Sequence, residues 1–244
     1  MRPLGRAAGS QVVVVCLLVL AAALPLDTTV HDLAFRYVVS HEVRLLSNGF
    51  TLLGTAWAAS GLLGGLAVVA YRTADVGLLR VSLGGLGGVA IGSLASHGVK
   101  QLACRARPRL VDGWGVDSRG PAAARTSPPE SAATGFFHWP CFADSRYHSF
   151  PSGHAATAFT VAAALTHVVP ARRRIWLAVA GGVGASRVLL NAHFLSDVLG
   201  GALIGWWAGQ LGLRLVDRFA PVPAPAGRIP ASVEPGRGTG APSG

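Results

Sequence analysis

The chain has 244 residues, of which 51% are hydrophobic and 13% charged, and a formal net charge of +10. Soluble domains carry about 25% charged residues, so this composition excludes an ordinary soluble globular protein. It also excludes a nucleic-acid surface as the reason for the positive charge, because the arginines gather in connections between apolar runs.

Charge-free stretches recur at residues 7–26, 45–71, 81–99, 147–171, 175–186 and 198–213. A membrane-crossing helix needs about 20 mainly apolar residues, within a range of roughly 17–25. The first four runs reach that length unaided; the last two do so only with Arg187 and Asp197 near a membrane face. The expected fold is all-α, a polytopic membrane bundle of about six transmembrane helices. Residues 1–220 read as one integral-membrane domain and residues 221–244, rich in Pro, Gly and Ala, as a disordered cytoplasmic tail.

In chain order, Arg2 and Arg6 precede the first run. With Ala21-Ala22-Ala23 beyond its apolar centre, this segment also has the layout of a cleaved signal sequence. Cleavage would remove one helix and leave the orientation of the others unchanged. Residues 27–44 mix polar and apolar side chains and read as a short amphipathic helix at the outer surface, with His31 and His41 as surface residues. Gly61/Gly65, Gly84/Gly88/Gly92 and Gly201/Gly205/Gly209 recur at four-residue spacing, a pattern that lets membrane helices approach closely.

Arg72 and Arg80 bracket the second turn, Arg172-Arg173-Arg174 fill the fourth, and Arg214 and Arg218 end the last run. By the positive-inside rule these mark the cytoplasmic side, with both termini inside. Residues 105–150 then form an external loop whose Trp114, Phe136, Phe137, Trp139 and Phe142 suit a membrane interface. Cys16 reads as a small apolar residue. Cys104 and Cys141 both fall on the external side, where a disulfide is chemically permitted; the sequence leaves their pairing open.

Three polar islands stand out, all at the external ends of helices. Lys100, the only lysine in the chain, precedes Arg107-Pro108 by seven positions, almost two helical turns, so a continuing helix puts both cations on one face and ends near Arg107. Arginine's planar fork suits a phosphate, and lysine acts as a point charge. Pro151-Ser152-Gly153-His154 directly precedes an apolar run, so Ser152 is placed as an N-cap and the following amides form an anion-binding helix start. In the third island, Ser186-Arg187 is followed by His193 and Asp197, at i and i+4 on one helical face. A carboxylate there fixes one imidazole nitrogen and leaves the other as nucleophile or base.

Lys-x6-Arg-Pro, Pro-Ser-Gly-His and Ser-Arg-x5-His-x3-Asp, complete and in this order from Lys100 to Asp197, resemble the type-2 phosphatidic acid phosphatase superfamily, in its bacterial integral-membrane branch. The resemblance implies a catalytic core over residues 100–197 and a phosphohistidine mechanism. His193 is implied as nucleophile, Asp197 as its partner and His154 as general acid. Lys100, Arg107, Ser152, Gly153 and Arg187 are implied as the phosphate cradle. The implied substrate is a lipid phosphate at the outer membrane face, such as an isoprenoid diphosphate, phosphatidylglycerol phosphate, phosphatidic acid or lipid A. Transfer to an alcohol acceptor, or lipid binding without catalysis, are the alternatives. With three fixed cations at the site and no carboxylate cluster in the sequence, neither metal nor cofactor is expected.

Overall fold

The computed structural model describes residues 17–37, 40–111 and 135–219. The middle of the expected external loop, including Trp114, and the expected tail lie outside these residues. So do Arg2, Arg6 and Cys16. A helical stretch from residue 17 passes through a 3-10 turn, Leu24–Leu26, into α1, Asp27–Tyr37. Then come α2, His41–Leu53; α3, Ala56–Arg72; α4, Val76–Ala103; α5, Gly153–Val168; α6, Arg173–Leu189; and α7, Leu195–Phe219. No strand occurs among the described residues; one isolated bridge joins Arg105 and His148.

Local chemistry sets the helix starts. Ser40, Thr55, Asp75 and Ser152 each accept a hydrogen bond from a first-turn amide of α2, α3, α4 and α5. These side chains satisfy donors that have no intrahelical partner.

The packing is inverted relative to a water-soluble protein. Much of the core is alanine and glycine, whereas Leu94, Leu102, Trp57 and Leu46 are largely exposed. Lipid solvates large apolar side chains as well as a protein interior does, so helix contact selects small residues instead. α7 packs mainly on α4 and α5. A Cβ at Gly205 would stand 2.0 Å from the Ala156 carbonyl oxygen, and one at Gly212 would stand 2.1 Å from that of Gly84. Thr160 Oγ1 bridges the same seam by donating toward the carbonyls of Ala156 and Gly205, 2.9 Å from each. The stripes on α4 and α7 are therefore packing faces, as expected. Gly61 and Gly65 are not: nothing lies within 4 Å of a Cβ at either.

Among the described residues, two helical segments, Leu17–Ala34 and Val76–Ala103, are by length and composition long and apolar enough to cross a membrane, and a third if α2 and α3, bent by 54°, form one broken span; the other helices of the expected six fall short of that measure. α5 has only 16 residues because its cap falls at Ser152, five residues into the apolar run. α7 has 25 residues, but the glycines of its packing faces and Gln210 dilute its apolar character. Arg72, Arg80, Arg173, Arg174, Arg214 and Arg218 sit at one set of helix ends, and the three polar islands at the other. Arg80 is ion-paired with Asp217 (Nη2 to Oδ2, 2.6 Å), fastening α4 to α7 at the arginine end.

Candidate active site

The first island is built differently from the continuous helix expected. α4 stops at Ala103, and Cys104 adopts a left-handed conformation (φ 41°) with its amide bonded to the Lys100 carbonyl. The chain then runs extended, and residues 105–107 pair with 146–149. Ser149 N–H donates to the Arg105 carbonyl (3.0 Å), and Arg107 N–H to the Arg146 carbonyl (3.0 Å). A Cys104–Cys141 disulfide, Cα atoms 5.7 Å apart, closes the same junction. Arg107 thus reaches the site through the loop and not along a helical face. Its Nε donates to the Ser145 carbonyl (3.0 Å), and its two terminal nitrogens to the carbonyls of Ala192 and His148 (3.4 Å each). Lys100, in the last turn of α4, donates to the carbonyls of His148 (3.0 Å) and Pro151 (2.5 Å). Burial, then the neighbouring Arg109 and Arg187 guanidiniums, lower Arg107 to about 10 against the opposing pull of Asp197. Cations crowded in this way favour an anion between them.

In the second island the expected N-cap is present. Ser152 caps α5 by accepting from Ala155 N–H (3.5 Å), and its own N–H donates to the Asp197 carbonyl (2.8 Å). The α5 N-terminus, with Gly153 and His154 in its first turn, is thereby locked to the start of α7. His154 lies against the break between α2 and α3, where a Cβ at Gly54 would stand 3.0 Å from His154 Cβ.

In the third island, Asp197 lies in α7 but His193 does not. His193 precedes the helix by two residues, after Asn191 in a left-handed conformation (φ 54°). The helix cannot extend back to it, because Asp197 uses Oδ2 to accept the Phe194 N–H (2.9 Å), as the third residue of a capping box does. The two functional groups still meet: His193 Nδ1 is 3.6 Å from Asp197 Oδ2, just beyond a hydrogen bond, and both side chains are buried. Burial, reinforced by Arg107 and Lys100, pushes the His193 imidazole down to about 3 although Asp197 opposes the shift, so the resting ring is neutral. Arg187, in the last turn of α6, donates to Thr51 Oγ1 of α2 (3.0 Å), while its Nε is buried with no protein partner. Thr51 Oγ1 is 3.1 Å from Ser186 Oγ, which donates to the Val183 carbonyl (2.7 Å), so a short hydroxyl chain fixes the guanidinium.

Lys100, Arg107, His154, Arg187, His193 and Asp197 therefore lie at one end of the bundle, on α4, its following loop, α5, α6, the connection between α6 and α7, and α7. The motifs did not point to Thr51, Ser149, Arg105, Ser196 or Asp27. Ser149 Oγ donates to Asp197 Oδ2 (2.5 Å), and Arg105 donates to Asp197 Oδ1 (2.6 Å) and to Asp27 Oδ2 (2.7 Å). His31, expected at the surface, is 8% exposed and its Nε2 lies 2.7 Å from Asn191 Oδ1. A lone carboxylate at the edge of a membrane run was the available signal for Asp27. Among the described residues, no group of three or more His, Cys, Asp or Glu is arranged to hold a metal ion.

The described residues form an all-helical bundle with cations, two histidines and a helix N-terminus at one end, the arrangement of a membrane helix protein. Its sequence identifies which: the profile of the PAP2 superfamily matches residues 82–220, more than half of the chain, and the protein belongs to that superfamily. It is 44% identical over 75 residues to lipid A 1-phosphatase of Porphyromonas gingivalis, covering 29% of this chain and 17% of that protein. It is 36% identical over 91 residues to lipid A 1-phosphatase of Rhizobium johnstonii, covering 37% of each. The chain thus spans well under half the length of these curated relatives. In fold it is similar to Aquifex aeolicus LpxE, with a TM-score of 0.54, 20% identity, and 78% of this chain and 95% of that one covered. It is also similar to a transmembrane PAP2-type phosphatidylglycerolphosphate phosphatase of Bacillus subtilis, with a TM-score of 0.50, 23% identity, and coverage of 83% and 92%.

Proposed function

We propose that the protein is a metal-independent membrane lipid phosphatase working through a phosphohistidine. The convergence of three cations, two histidines and the α5 N-terminus on one bundle end carries this reading. Lys100, Arg107 and Arg187, with the Ser152 hydroxyl and Gly153 amide, neutralise the non-bridging oxygens. His193 Nε2 attacks phosphorus in line, while its Nδ1, which faces Asp197, carries the proton. As the N–P bond forms, the P–O bond to the lipid breaks, and His154 protonates the departing oxygen. Water then attacks phosphorus, gives its proton to His154 and releases phosphate from His193. The three cations stabilise the developing charge where other phosphoryl-transfer enzymes use magnesium.

The first substrate to test is lipid A, the class in the relatives' names; undecaprenyl diphosphate, phosphatidylglycerol phosphate and phosphatidic acid follow. The site faces the periplasm from a six-helix inner-membrane domain over residues 1–220, with both termini cytoplasmic. Two observations support this orientation: the arginines at the opposite helix ends and the disulfide at the site end, which belongs in an oxidising compartment. The test is phosphate release in detergent from these four lipids, with and without EDTA. One lipid should be cleaved equally well in chelator. No release from any, or loss in EDTA restored by magnesium, would overturn the reading.

A further inference from the structure

Behind Asp197 lies a buried network that the phosphatase chemistry above does not use. Asp27, at the start of α1, has no exposed surface, and Arg105 is 1% exposed. Asp27 Oδ1 accepts the Ser196 N–H (2.8 Å), and Oδ2 accepts from Ser196 Oγ (2.5 Å) and Arg105 Nη2 (2.7 Å). Arg105 Nη1 donates to Asp197 Oδ1 and to Ser196 Oγ, 2.6 Å each. The guanidinium is also close to two rings, with Cζ 4.7 Å from the Phe136 centroid and 4.4 Å from that of Phe194. Each Asp197 oxygen therefore has a separate task. Oδ1 is taken by Arg105, while Oδ2, held by Ser149 and Phe194 N–H, is the oxygen turned to His193.

We infer that Asp27 and Arg105 are positioning residues for the nucleophile, making α1 part of the catalytic apparatus; this rests on the phosphohistidine reading of His193. Arg105 fixes the plane of the Asp197 carboxylate. Alone it would also cancel the negative charge that a phosphorylated, cationic imidazole needs beside it. Asp27 restores that charge: the triad carries formal charges of −1, +1 and −1, leaving −1 facing His193. Ion triads of this kind are poor stabilisers, since desolvation offsets much of their attraction. A positioning role explains their presence better than stability does. Asp27, Arg105 and Ser196 are buried behind Asp197, so loss of the network should slow phosphoryl transfer without weakening lipid binding.

The test compares wild type, H193A, D27N and the double variant D27N/R105M in phosphate release from the same four lipids, lipid A, undecaprenyl diphosphate, phosphatidylglycerol phosphate and phosphatidic acid. D27N keeps the side-chain shape and strands Arg105 against Asp197; kcat should fall at least tenfold with KM within twofold. The double variant removes Asp27 and Arg105 together, so no guanidinium is left without its Asp27 partner if D27N fails to fold. It too should lose at least tenfold in kcat, because Asp197 Oδ1 is no longer held. Wild-type kcat in either folded variant overturns the inference while the phosphatase reading stands. A silent wild type, or an active H193A, overturns both.

Discussion

The two ends of the bundle use arginine in opposite ways. At the end away from the site, the Arg80 side chain is 34% exposed and its partner Asp217 45% exposed, and the pair bridges α4 and α7 in contact with solvent. At the site end, Arg105 is 1% exposed between two fully buried carboxylates, and Arg107 and Arg187 are held by carbonyls and a threonine hydroxyl. Exposed pairs are screened and contribute about 0–1 kcal/mol. A buried guanidinium with fixed partners is oriented, and orientation is what phosphoryl transfer requires of a cation. Charge count does not separate the ends; burial and fixed geometry do.

The contrast is broken most severely at His193. H193A should lower phosphate release by about 10⁴-fold or more, as loss of a nucleophile does elsewhere, with the protein still extracted and monodisperse in detergent. Next comes R187K, which keeps the charge but loses the fork bonded to Thr51. It should cost about 10²-fold in kcat, measured with the same lipid; an unchanged kcat would mean that Arg187 acts only as a point charge. T51A removes a neutral hydroxyl holding that guanidinium and should cost less, about tenfold, in line with a hydrogen bond of about 1–1.5 kcal/mol. At the other end, R80A should leave kcat unchanged and lower stability by at most about 1 kcal/mol, read from thermal unfolding in detergent.

The pH dependence follows from burial. His193 is held well below its ordinary 6.5, at about 3. Between those values the unfolded chain binds the proton and the folded one does not, so this group's contribution to stability is present above pH 6.5 and lost as pH falls toward 3. An NMR titration of the substrate-free protein should show the His193 ring neutral at pH 5. A midpoint near 6.5 would contradict the buried environment described for it.

Much of the site was legible in the sequence, because each island is a cluster of polar residues interrupting apolar runs, and the helix polarities bring the islands to one end. The geometry linking them was less so. The Lys100–Arg107 spacing suggested one helical face, but the left-handed Cys104 and its disulfide end α4 three residues after Lys100. The His193–Asp197 spacing suggested another, but Asp197 spends its carboxylate on Phe194 N–H and ends the helix before His193. In both cases a tertiary contact replaced the helical period with a loop that delivers the same side chain to the same place. Asp27 was illegible as a partner because Ser196 is 169 positions away and Arg105 78. No local pattern encodes such pairings. Gly61 and Gly65 show the converse: a motif spacing present in the chain with no helix seated on it.

The central claim is that this end of the bundle transfers phosphate through His193. The most direct measurement is an alkaline quench of the enzyme during turnover of the cleaved lipid, followed by mass spectrometry of the peptide spanning residues 188–214. The account predicts a phosphate on His193 in wild type, absent in H193A and accumulating in H154A at high pH, where product release from the phosphoenzyme is slowed. Turnover with no phosphate on His193 under these conditions, or the same modification in H193A, would contradict it.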